Sequence, residues 1–296
     1  MVKNMKKSMQ KIGLSGLLGS KKNVEIIDLI IKILEKENRE IYIEGKLAKY
    51  SSQFSKYSCS SEKIITNCDL LISVGGDGTM INNAKKFGIK GIPILGVNLG
   101  SLGFLTDIAP EELESHLCNI LKGKFNLDKR FLLETKLNSE ILNHRSLNEV
   151  VMHSGAIARM IEFDVYVENN LVYKQRADGL IVFTSTGSTA YSLSGGGPLI
   201  HPDLDIIGIM PMFPHSLNTT PILIDDNKTI RIILTKINGK QKSELSFDGQ
   251  NNMPVQEGSE ISIHKSEKQV TLVHPLNNDY FFGCRSKLGW GKSIVN

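Results

Sequence analysis

The chain has 296 residues, of which 41% are hydrophobic and 22% charged, and its formal net charge at pH 7 is +4. This is the composition of a soluble globular protein with one large domain or two smaller ones. Because positive residues cluster only between Lys3 and Lys11, a nucleic-acid-binding surface is not expected. No apolar run approaches the ~20 residues of a membrane-spanning helix, and no signal-peptide segment follows the basic start. We therefore expect a cytoplasmic protein without a membrane or nucleic-acid partner.

The spacing of histidine and cysteine argues against a metal site built by the protein alone. None of the four cysteines lies in a C-x-x-C pair, and none of the seven histidines lies in an H-x-x-x-H pair. Zinc and related metals need several such ligands close together. No metal-ligating residue is therefore predicted.

The first part of the chain alternates between predicted strands and predicted helices. Buried-strand patterns lie at Lys11–Ser15, Ile41–Ile43, Asp69–Val74 and Gly91–Val97. Helical patterns lie at Ile26–Leu34, at Thr79–Phe87 and from Pro110 to a stop at Gly123. This alternation predicts a Rossmann-like α/β domain, with a parallel sheet and helices on its faces.

After residue 125 the chain carries short strand-like runs separated by turn-forming residues. The runs lie at Val150–Met152, Glu162–Val167, Gly179–Phe183, Thr229–Leu234 and Glu260–His264. Clusters such as Glu168-Asn169-Asn170 and Asp225-Asp226-Asn227 punctuate them. We therefore predict a second, predominantly β domain, with a boundary near residues 123–130.

A glycine-rich turn at Gly75–Thr79 is the strongest local signal for chemistry. It follows a buried strand and precedes a helix, so its backbone amides can face a ligand and bind phosphate oxygens. Asp77 lies at the carboxyl end of a strand, where open α/β sheets bind their ligands. Its carboxylate can accept a proton from a hydroxyl, help to hold Mg²⁺, or simply close the turn.

Several segments together resemble the NAD kinase family. Gly75–Thr79 is similar to the family's G-G-D-G-T/N motif, which diacylglycerol kinases, sphingosine kinases and phosphofructokinases carry in related form. The segments that select NAD kinases follow in the family's order at Asn98–Thr106, Leu147–Val150, Asp178-Gly179 with Thr186–Tyr191, Phe247–Gln250 and Lys287–Gly291. The resemblance extends from Lys11 to Gly291, nearly the whole chain.

The resemblance implies a kinase that transfers the γ-phosphoryl group of ATP, or of a donor such as polyphosphate, to the adenosine 2′-hydroxyl of NAD, giving NADP. It implies Asp77 as the general base, a role typically worth ~10²–10⁴-fold. It implies donor-phosphate contacts at Gly75, Gly76, Gly78 and Thr79, and a divalent cation, Mg²⁺, that arrives with the donor. Family members are commonly homo-oligomers, either dimers or tetramers, so a homo-oligomer is expected.

The resemblance also implies which residues bind NAD. Asn148 and Glu149 match the pair that holds the adenosine and its ribose, and Asp178 matches a carboxylate on the nicotinamide side. The full expected set is Asp77, Gly78, Asn148, Glu149, Arg159, Arg176, Asp178, Thr189, Ala190, Tyr191, Ser192, Leu193, Ser194 and Gln250. The predicted organisation is an α/β domain at 1–125 with the G-G-D-G motif, a β-rich NAD-binding domain at 126–273, and a segment at 274–296 that packs back on the first domain.

Ordinary structural roles compete with these assignments. They are a turn residue at Asn148, a hairpin turn at Asp178-Gly179, core packing at Tyr191, and a solvated strand face at Arg159 and Arg176. Two other functions share part of the pattern. A lipid kinase of the diacylglycerol or sphingosine type explains the G-G-D-G motif but not the later segments, and a catalytically silent dinucleotide-binding regulator has no need of the aspartate.

The chain also departs from the family pattern at several positions. The main departures are Ser185 in place of proline, Phe183 in place of a small polar residue, and Thr220 in place of arginine.

Overall fold

The structure is a computed structural model that describes residues 9–16, 22–100, 103–106, 108–155, 159–216, 218–238 and 242–290. The chain divides into two compact units. The first unit comprises Met1–Lys129 and Val270–Asn296, and the second unit comprises Arg130–Gln269.

The first unit is built on a parallel sheet with helices between its strands. Its strands are β1 Lys11–Gly16, β2 Glu40–Glu44, β3 Ser58–Cys59, β4 Leu70–Val74 and β5 Ile94–Val97. They lie side by side in the order β5-β4-β1-β2-β3, and every neighbouring pair is parallel. The helices are α1 Lys22–Lys36, α2 Gly45–Ala48, α3 Ser61–Asn67, α4 Asp77–Lys86 and α5 Leu113–Leu121. The predicted α/β domain is therefore confirmed.

Helices cover both faces of this sheet. Successive side chains of a strand point to opposite faces, so neighbouring residues of β1 contact different helices. Ile12 and Leu14 of β1 belong to the core that includes residues of α1 and α5. Between them, Gly13 faces α3, where an added Cβ would lie 2.9 Å from Ile64 Cγ2. The helix predicted from Pro110 begins instead with a 3₁₀ turn at Pro110–Glu112, and its stop at Gly123 is confirmed by a φ of 83°.

The second unit contains two antiparallel sheets around one core. One sheet contains β6 Phe125–Leu137, β7 Glu140–Ser146, β9 Ile161–Val167, β10 Asn170–Ala177, β14 Ile230–Ile237 and the first part of β17 Glu260–Pro275. The other contains β8 Glu149–His153, β11 Gly179–Thr184, β12 Ile206–Met212, β13 Ile222–Asp225, β15 Ser243–Phe247 and β16 Asn251–Val255. Side chains of both sheets share one buried cluster. The predicted β-rich second domain is confirmed.

The chain end returns to the first unit, as expected. Leu272 and Val273 of β17 pair in parallel with Ile94 and Leu95 of β5. The second unit contains one short helix, α6 Tyr191–Ser194, and the last helix of the chain is α7 Tyr280–Leu288. Asp279 caps its start by accepting a hydrogen bond from Phe281 N at 2.8 Å.

The departures from the family pattern have local explanations at two positions. Ser185 adopts a φ of −55°, a value that proline also takes, so the turn keeps its shape without the ring. Phe183 is fully buried, and its ring lies over Gly208, its partner on β12. A Cβ on Gly208 would lie 2.1 Å from Phe183 Cζ, so the larger residue on β11 requires glycine opposite it. Nothing in the structure explains Thr220, which is exposed.

We expect Gly208→Ala to destabilise the protein by about 1–3 kcal/mol, because the added methyl group overpacks the ring of Phe183. The measurement is urea unfolding of the single variants and of the double variant with Phe183→Ala. In the Phe183→Ala background, Gly208→Ala should lower the free energy of unfolding by much less, because the ring that the methyl group contacts is gone and the two substitutions are therefore not additive. An unchanged cost in that background would contradict the pairing.

Candidate functional site

Asp77 is the first residue of α4, directly after the Gly75-Gly76 pair that follows β4. Its carboxylate accepts hydrogen bonds from Phe104 N at Oδ2 (2.8 Å) and from Leu105 N at Oδ1 (3.0 Å). The Thr106 hydroxyl lies 3.4 Å from Oδ1. A carboxylate has about four acceptor positions, so these contacts leave one on Oδ2. The donors come from a distant segment, so the carboxylate does not serve merely to close its own turn.

Asn98 orients the threonine that contacts Asp77. Its side-chain Nδ2 donates to Thr106 Oγ1 at 3.1 Å, and its Oδ1 accepts from Gly100 N at 2.8 Å. Because the Thr106 oxygen already accepts from Asn98, its own proton is directed to the carboxylate. The side chains of Asn98, Thr106 and Asp77 therefore form a chain of hydrogen bonds with one polarity.

Two glycines near Asp77 are required by close contacts. Gly75 has a φ of 151°, and an added Cβ would lie 2.6 Å from Thr79 Oγ1. At Gly103 an added Cβ would lie 2.0 Å from Asp77 Oδ1. Gly76 and Gly78 differ, since both are exposed and an added Cβ at either would meet no atom within 4 Å among the described residues. The outer side of the turn is therefore open to a ligand.

Buried polar side chains hold α4 against the sheet. Asn83 of α4 donates from Nδ2 to Ser73 Oγ of β4 at 2.8 Å, and its Oδ1 accepts from Ser15 Oγ of β1 at 2.9 Å. Glu44 of β2 lies beside Ser15 and forms an ion pair with Lys86 of α4. Burial acts to raise the pKa of Glu44, but hydrogen bonds from Lys86 and Ser15 outweigh it and lower that pKa below its usual value. These contacts fix the helix that begins at Asp77.

Asn148 and Glu149 lie in the second unit, at the start of β8, and both are buried. Thr184 of β11 donates from Oγ1 to Leu147 O at 2.6 Å and from its backbone N to Asn148 O at 2.9 Å. Gly187 approaches so closely that an added Cβ would lie 2.1 Å from Asn148 O. The side-chain Oδ1 of Asn148 is buried and has no hydrogen-bond partner among the described residues. A buried acceptor left without a partner costs ~1–3 kcal/mol, so this oxygen favours a ligand with a donor group.

The Thr186–Tyr191 segment forms a 3₁₀ turn at Thr186–Thr189 and then enters the four-residue helix α6. Ser192 is fully buried, and its hydroxyl donates to Gly187 O at 3.0 Å. The Thr189 hydroxyl donates to Thr186 O at 3.1 Å. Tyr191 and Ser194 are exposed, and Ala190 and Leu193 are partly buried. The loop is thus held by its own hydroxyl groups, and its outer residues remain accessible.

Two more expected NAD contacts lie at the other end of β11. Asp178 precedes the strand, and its backbone N donates to Met212 O at 3.0 Å. Gly179 is the first residue of the strand, so Asp178-Gly179 does not form a hairpin turn. Arg176 is exposed on β10. The six residues of β11 span ~20 Å and separate these residues from Asn148 and Glu149.

The remaining expected contacts lie at turns. Arg159 is exposed, next to a part of the chain outside the described residues. Gln250 is partly buried in the turn after β15, where its backbone N donates to Phe247 O at 3.0 Å.

Sequence reasoning missed three polar residues that support these segments. Thr106 binds Asp77, Arg130 Nη1 donates to Thr186 Oγ1 at 2.9 Å, and Asp248 binds the backbone of Leu147–Glu149. Thr106 and Asp248 lie inside segments that carried the resemblance, but their partners are 29 and 100 residues away. No local pattern marks Arg130.

Two other kinds of site are absent from the described part of the chain. No group of three or more His, Cys, Asp or Glu side chains there is arranged to hold a metal ion. Among the described helices, none has the length and apolar character needed to cross a membrane.

Comparison with known proteins identifies the family. Residues 20–125 match the ATP-NAD kinase N-terminal domain, and residues 147–275 match the ATP-NAD kinase C-terminal domain. An NAD kinase of Pseudomonas entomophila is 40% identical over 288 residues, which cover 96% of this chain and 97% of the relative. The chain belongs to the ATP-NAD kinase family. An NAD kinase of Teredinibacter turnerae is 39% identical over 292 residues, 98% of this chain and 99% of the relative.

Solved structures of NAD(H) kinases share the fold. A yeast NADH kinase complexed with NADH has a TM-score of 0.86 and 25% identity, covering 97% of this chain and 89% of that chain. An NAD kinase from Archaeoglobus fulgidus in complex with ATP has a TM-score of 0.73 and 25% identity, covering 94% of this chain and 97% of that chain. These similarities favour the NAD kinase family over the lipid kinase and the silent regulator.

We expect Gly103→Ala to lower the kinase activity of this family member by about 100-fold, because the new methyl group displaces the carboxylate of Asp77. Gly100→Ala is the matched control, since an added Cβ at Gly100 meets no described atom within 4 Å. The measurement is NADP formation by both variants at equal folded concentration. Equal activities of the two variants would show that the position of this carboxylate does not matter.

Proposed function

We propose that this chain is an NAD kinase, which transfers the γ-phosphoryl group of ATP to the 2′-hydroxyl of the adenosine ribose of NAD and gives NADP and ADP. The observation that carries the proposal is the carboxylate of Asp77. Phe104 N, Leu105 N and Thr106 Oγ1 hold it in place, and it keeps one acceptor position on Oδ2.

In the proposed mechanism Asp77 is the general base. A ribose hydroxyl is a poor nucleophile at neutral pH, so its proton must leave as the bond to phosphorus forms. Oδ2 of Asp77 accepts that proton, the ribose oxygen bonds to the γ-phosphorus, and the bond from the γ-phosphorus to ADP breaks. The hydrogen bonds from Phe104 and Leu105 fix the carboxylate before substrate binds, so no reorientation is needed during the reaction.

The glycine turn is the proposed site for the donor phosphates. An added Cβ at Gly76 or Gly78 would meet no described atom within 4 Å, and the ten-residue helix α4 that begins at Asp77 directs its N-terminal end at this turn, which favours an anion such as phosphate. Gly75 and Thr79 pack on each other and set the shape of the turn. Mg²⁺ bound to the donor oxygens would neutralise charge on the transferring group. The metal comes with the donor in this proposal.

The second unit is the proposed NAD-binding part. Asn148 Oδ1, buried and without a partner among the described residues, accepts a hydrogen bond from the adenosine, and Glu149 binds its ribose. Tyr191 and Ser194 contribute accessible side chains. The remaining proposed contacts of this part are Arg159, Arg176, Asp178, Thr189, Ala190, Leu193, Gln250 and the main chain of the buried Ser192.

The ends of β11 suit the two halves of a dinucleotide. Asn148 and Glu149 lie at one end, and Asp178 and Arg176 lie ~20 Å away at the other. We assign the adenosine to the first end and the nicotinamide side to the second. The proposed division of work is a donor-binding domain at 1–125, an NAD-binding domain at 126–273, and a terminal segment at 274–296 that completes the first domain.

Three further parts of the proposal concern the cellular form of the enzyme. We propose a cytoplasmic protein, a homo-oligomer, either dimer or tetramer, formed through the second unit, and ATP as the donor, with polyphosphate as the alternative. Phe213 supports the oligomer because its side chain is 72% exposed at the end of β12. Light scattering measures the mass of the particle in solution and hence the number of subunits. Product formation from NAD, NADH or a lipid acceptor, each with ATP or polyphosphate, identifies the acceptor and the donor.

We expect Asp77→Asn to lower kcat by about 10²–10⁴-fold while NAD affinity stays near that of the wild type, since the amide keeps the shape but accepts no proton. The measurement is steady-state NADP formation together with calorimetric NAD binding. Asp69→Asn is the matched control, because Asp69 also accepts two backbone N–H groups, those of Gln10 and Lys11. Near wild-type turnover in Asp77→Asn would remove this residue from the chemistry.

A further inference from the structure

One carboxylate in the second unit accepts hydrogen bonds from three consecutive backbone amides. Asp248 receives them from Leu147 N at 3.1 Å, Asn148 N at 2.8 Å and Glu149 N at 3.2 Å. The side chain is buried, with only 8% of the residue exposed. Hydrogen bonds from an amide to a charged acceptor are about twice as strong as those between neutral groups.

The opposite side of the same segment is held by β11. Thr184 donates to the carbonyl oxygens of Leu147 and Asn148, and Asp248 N donates to Glu149 O at 3.0 Å. Every backbone N–H and C=O group of Leu147–Glu149 is therefore paired within the protein. The buried side-chain Oδ1 of Asn148, in contrast, has no hydrogen-bond partner among the described residues.

Asp248 lies in the hairpin turn between β15 and β16, which pair in antiparallel register. Asp248 has a φ of 53° and Gly249 a φ of 63°, and Gln250 N donates to Phe247 O across the turn. Asp-Gly with positive φ at both residues is a conformation that such hairpin turns favour. Here the conformation directs the carboxylate at the three amides.

The sheet itself does not need this carboxylate. Residues Glu244–Phe247 of β15 already pair with Val150–His153 of β8 in regular antiparallel register, and β11 pairs with the other edge of β8. The hydrogen bonds of Asp248 begin where this pairing ends. These hydrogen bonds therefore fix the backbone of the three residues before Val150, which include the proposed NAD contacts Asn148 and Glu149.

We propose that Asp248 is a positioning residue for NAD, which fixes the Leu147–Glu149 backbone so that Asn148 and Glu149 are held in their binding positions before NAD arrives. Asp248 does not itself contact the substrate. A rigid, preformed site raises affinity because the ordering cost is met during folding and not on binding. The inference rests on the proposed function, since it names the residue that supports that function's NAD contacts.

The test is Asp248→Asn, in which an amide NH₂ replaces one acceptor oxygen and faces a backbone N–H. We expect Kd and KM for NAD to rise by about 10- to 100-fold, while Kd for ATP and kcat at saturating NAD change by less than about threefold. Calorimetry with NAD and with ATP separately, steady-state kinetics and thermal unfolding supply the measurements.

Asp226→Asn is the matched control, because Asp226 is another buried aspartate of the second unit, and it forms an ion pair with Lys265. It should lower Tm without changing NAD affinity. Thr184→Val is a second variant at the same segment, which keeps the side-chain shape but removes the bond from Thr184 Oγ1 to Leu147 O and the bond that Oγ1 accepts from Gly187 N. It should raise Kd for NAD in the same direction as Asp248→Asn, and it serves as the test if that variant does not fold.

Two results would overturn the inference. One is an unchanged Kd for NAD in folded Asp248→Asn or, if that variant does not fold, in Thr184→Val. The other is a loss of NAD and ATP binding together, in proportion to a Tm loss that Asp226→Asn reproduces, which would make the role purely structural. If the wild-type protein makes no NADP from NAD, the proposed function fails instead, and that outcome is seen before any variant is compared.

Discussion

The hydrogen bond from a backbone N–H group to a carboxylate is the interaction on which the candidate residues of each unit depend. In the first unit, Asp77 receives such bonds from Phe104 and Leu105, and in the second unit Asp248 receives them from Leu147–Glu149. In both cases an acid joins a turn to a segment far away in the sequence. The two arrangements differ in which atom keeps an unused acceptor position among the described residues. At Asp77 it is Oδ2 of the acid itself, and in the second unit it is Oδ1 of Asn148, on the segment that the acid binds.

Close approach between segments explains why glycine is needed at two positions. Gly103 lies against the carboxylate of Asp77 and Gly187 lies against the backbone carbonyl of Asn148, and an added Cβ at either position would overlap those atoms. Gly76 and Gly78 differ, since an added Cβ at either would meet no described atom within 4 Å.

The sequence was sufficient to predict strands and contacts whose signal is local. β4 is buried throughout and four of its five residues are apolar, so the pattern shows this strand directly. β7 and β16 were not predicted, because most of their residues are exposed, and Pro254 in β16 is unusual for a strand. Asp77 is marked by its glycine-rich turn as well as by the family resemblance, and Asn148 is marked by the resemblance. The partners of Thr106, Arg130 and Asp248 could not be predicted, since they depend on pairings between segments 29 to 101 residues apart.

The return of the chain end to the first unit affects the order in which the protein can fold during synthesis. The second unit is one continuous stretch, Arg130–Gln269, and can be completed as soon as it has left the ribosome. The first unit begins earlier but ends later, because β5 obtains its outer neighbour only when Leu272 and Val273 have been made. Until then β5, which is buried in the folded protein, has one edge with unpaired backbone groups, and such an edge can pair with another chain. A ribosome that stops before residue 270 therefore leaves the earliest-made part of the enzyme as its most aggregation-prone part.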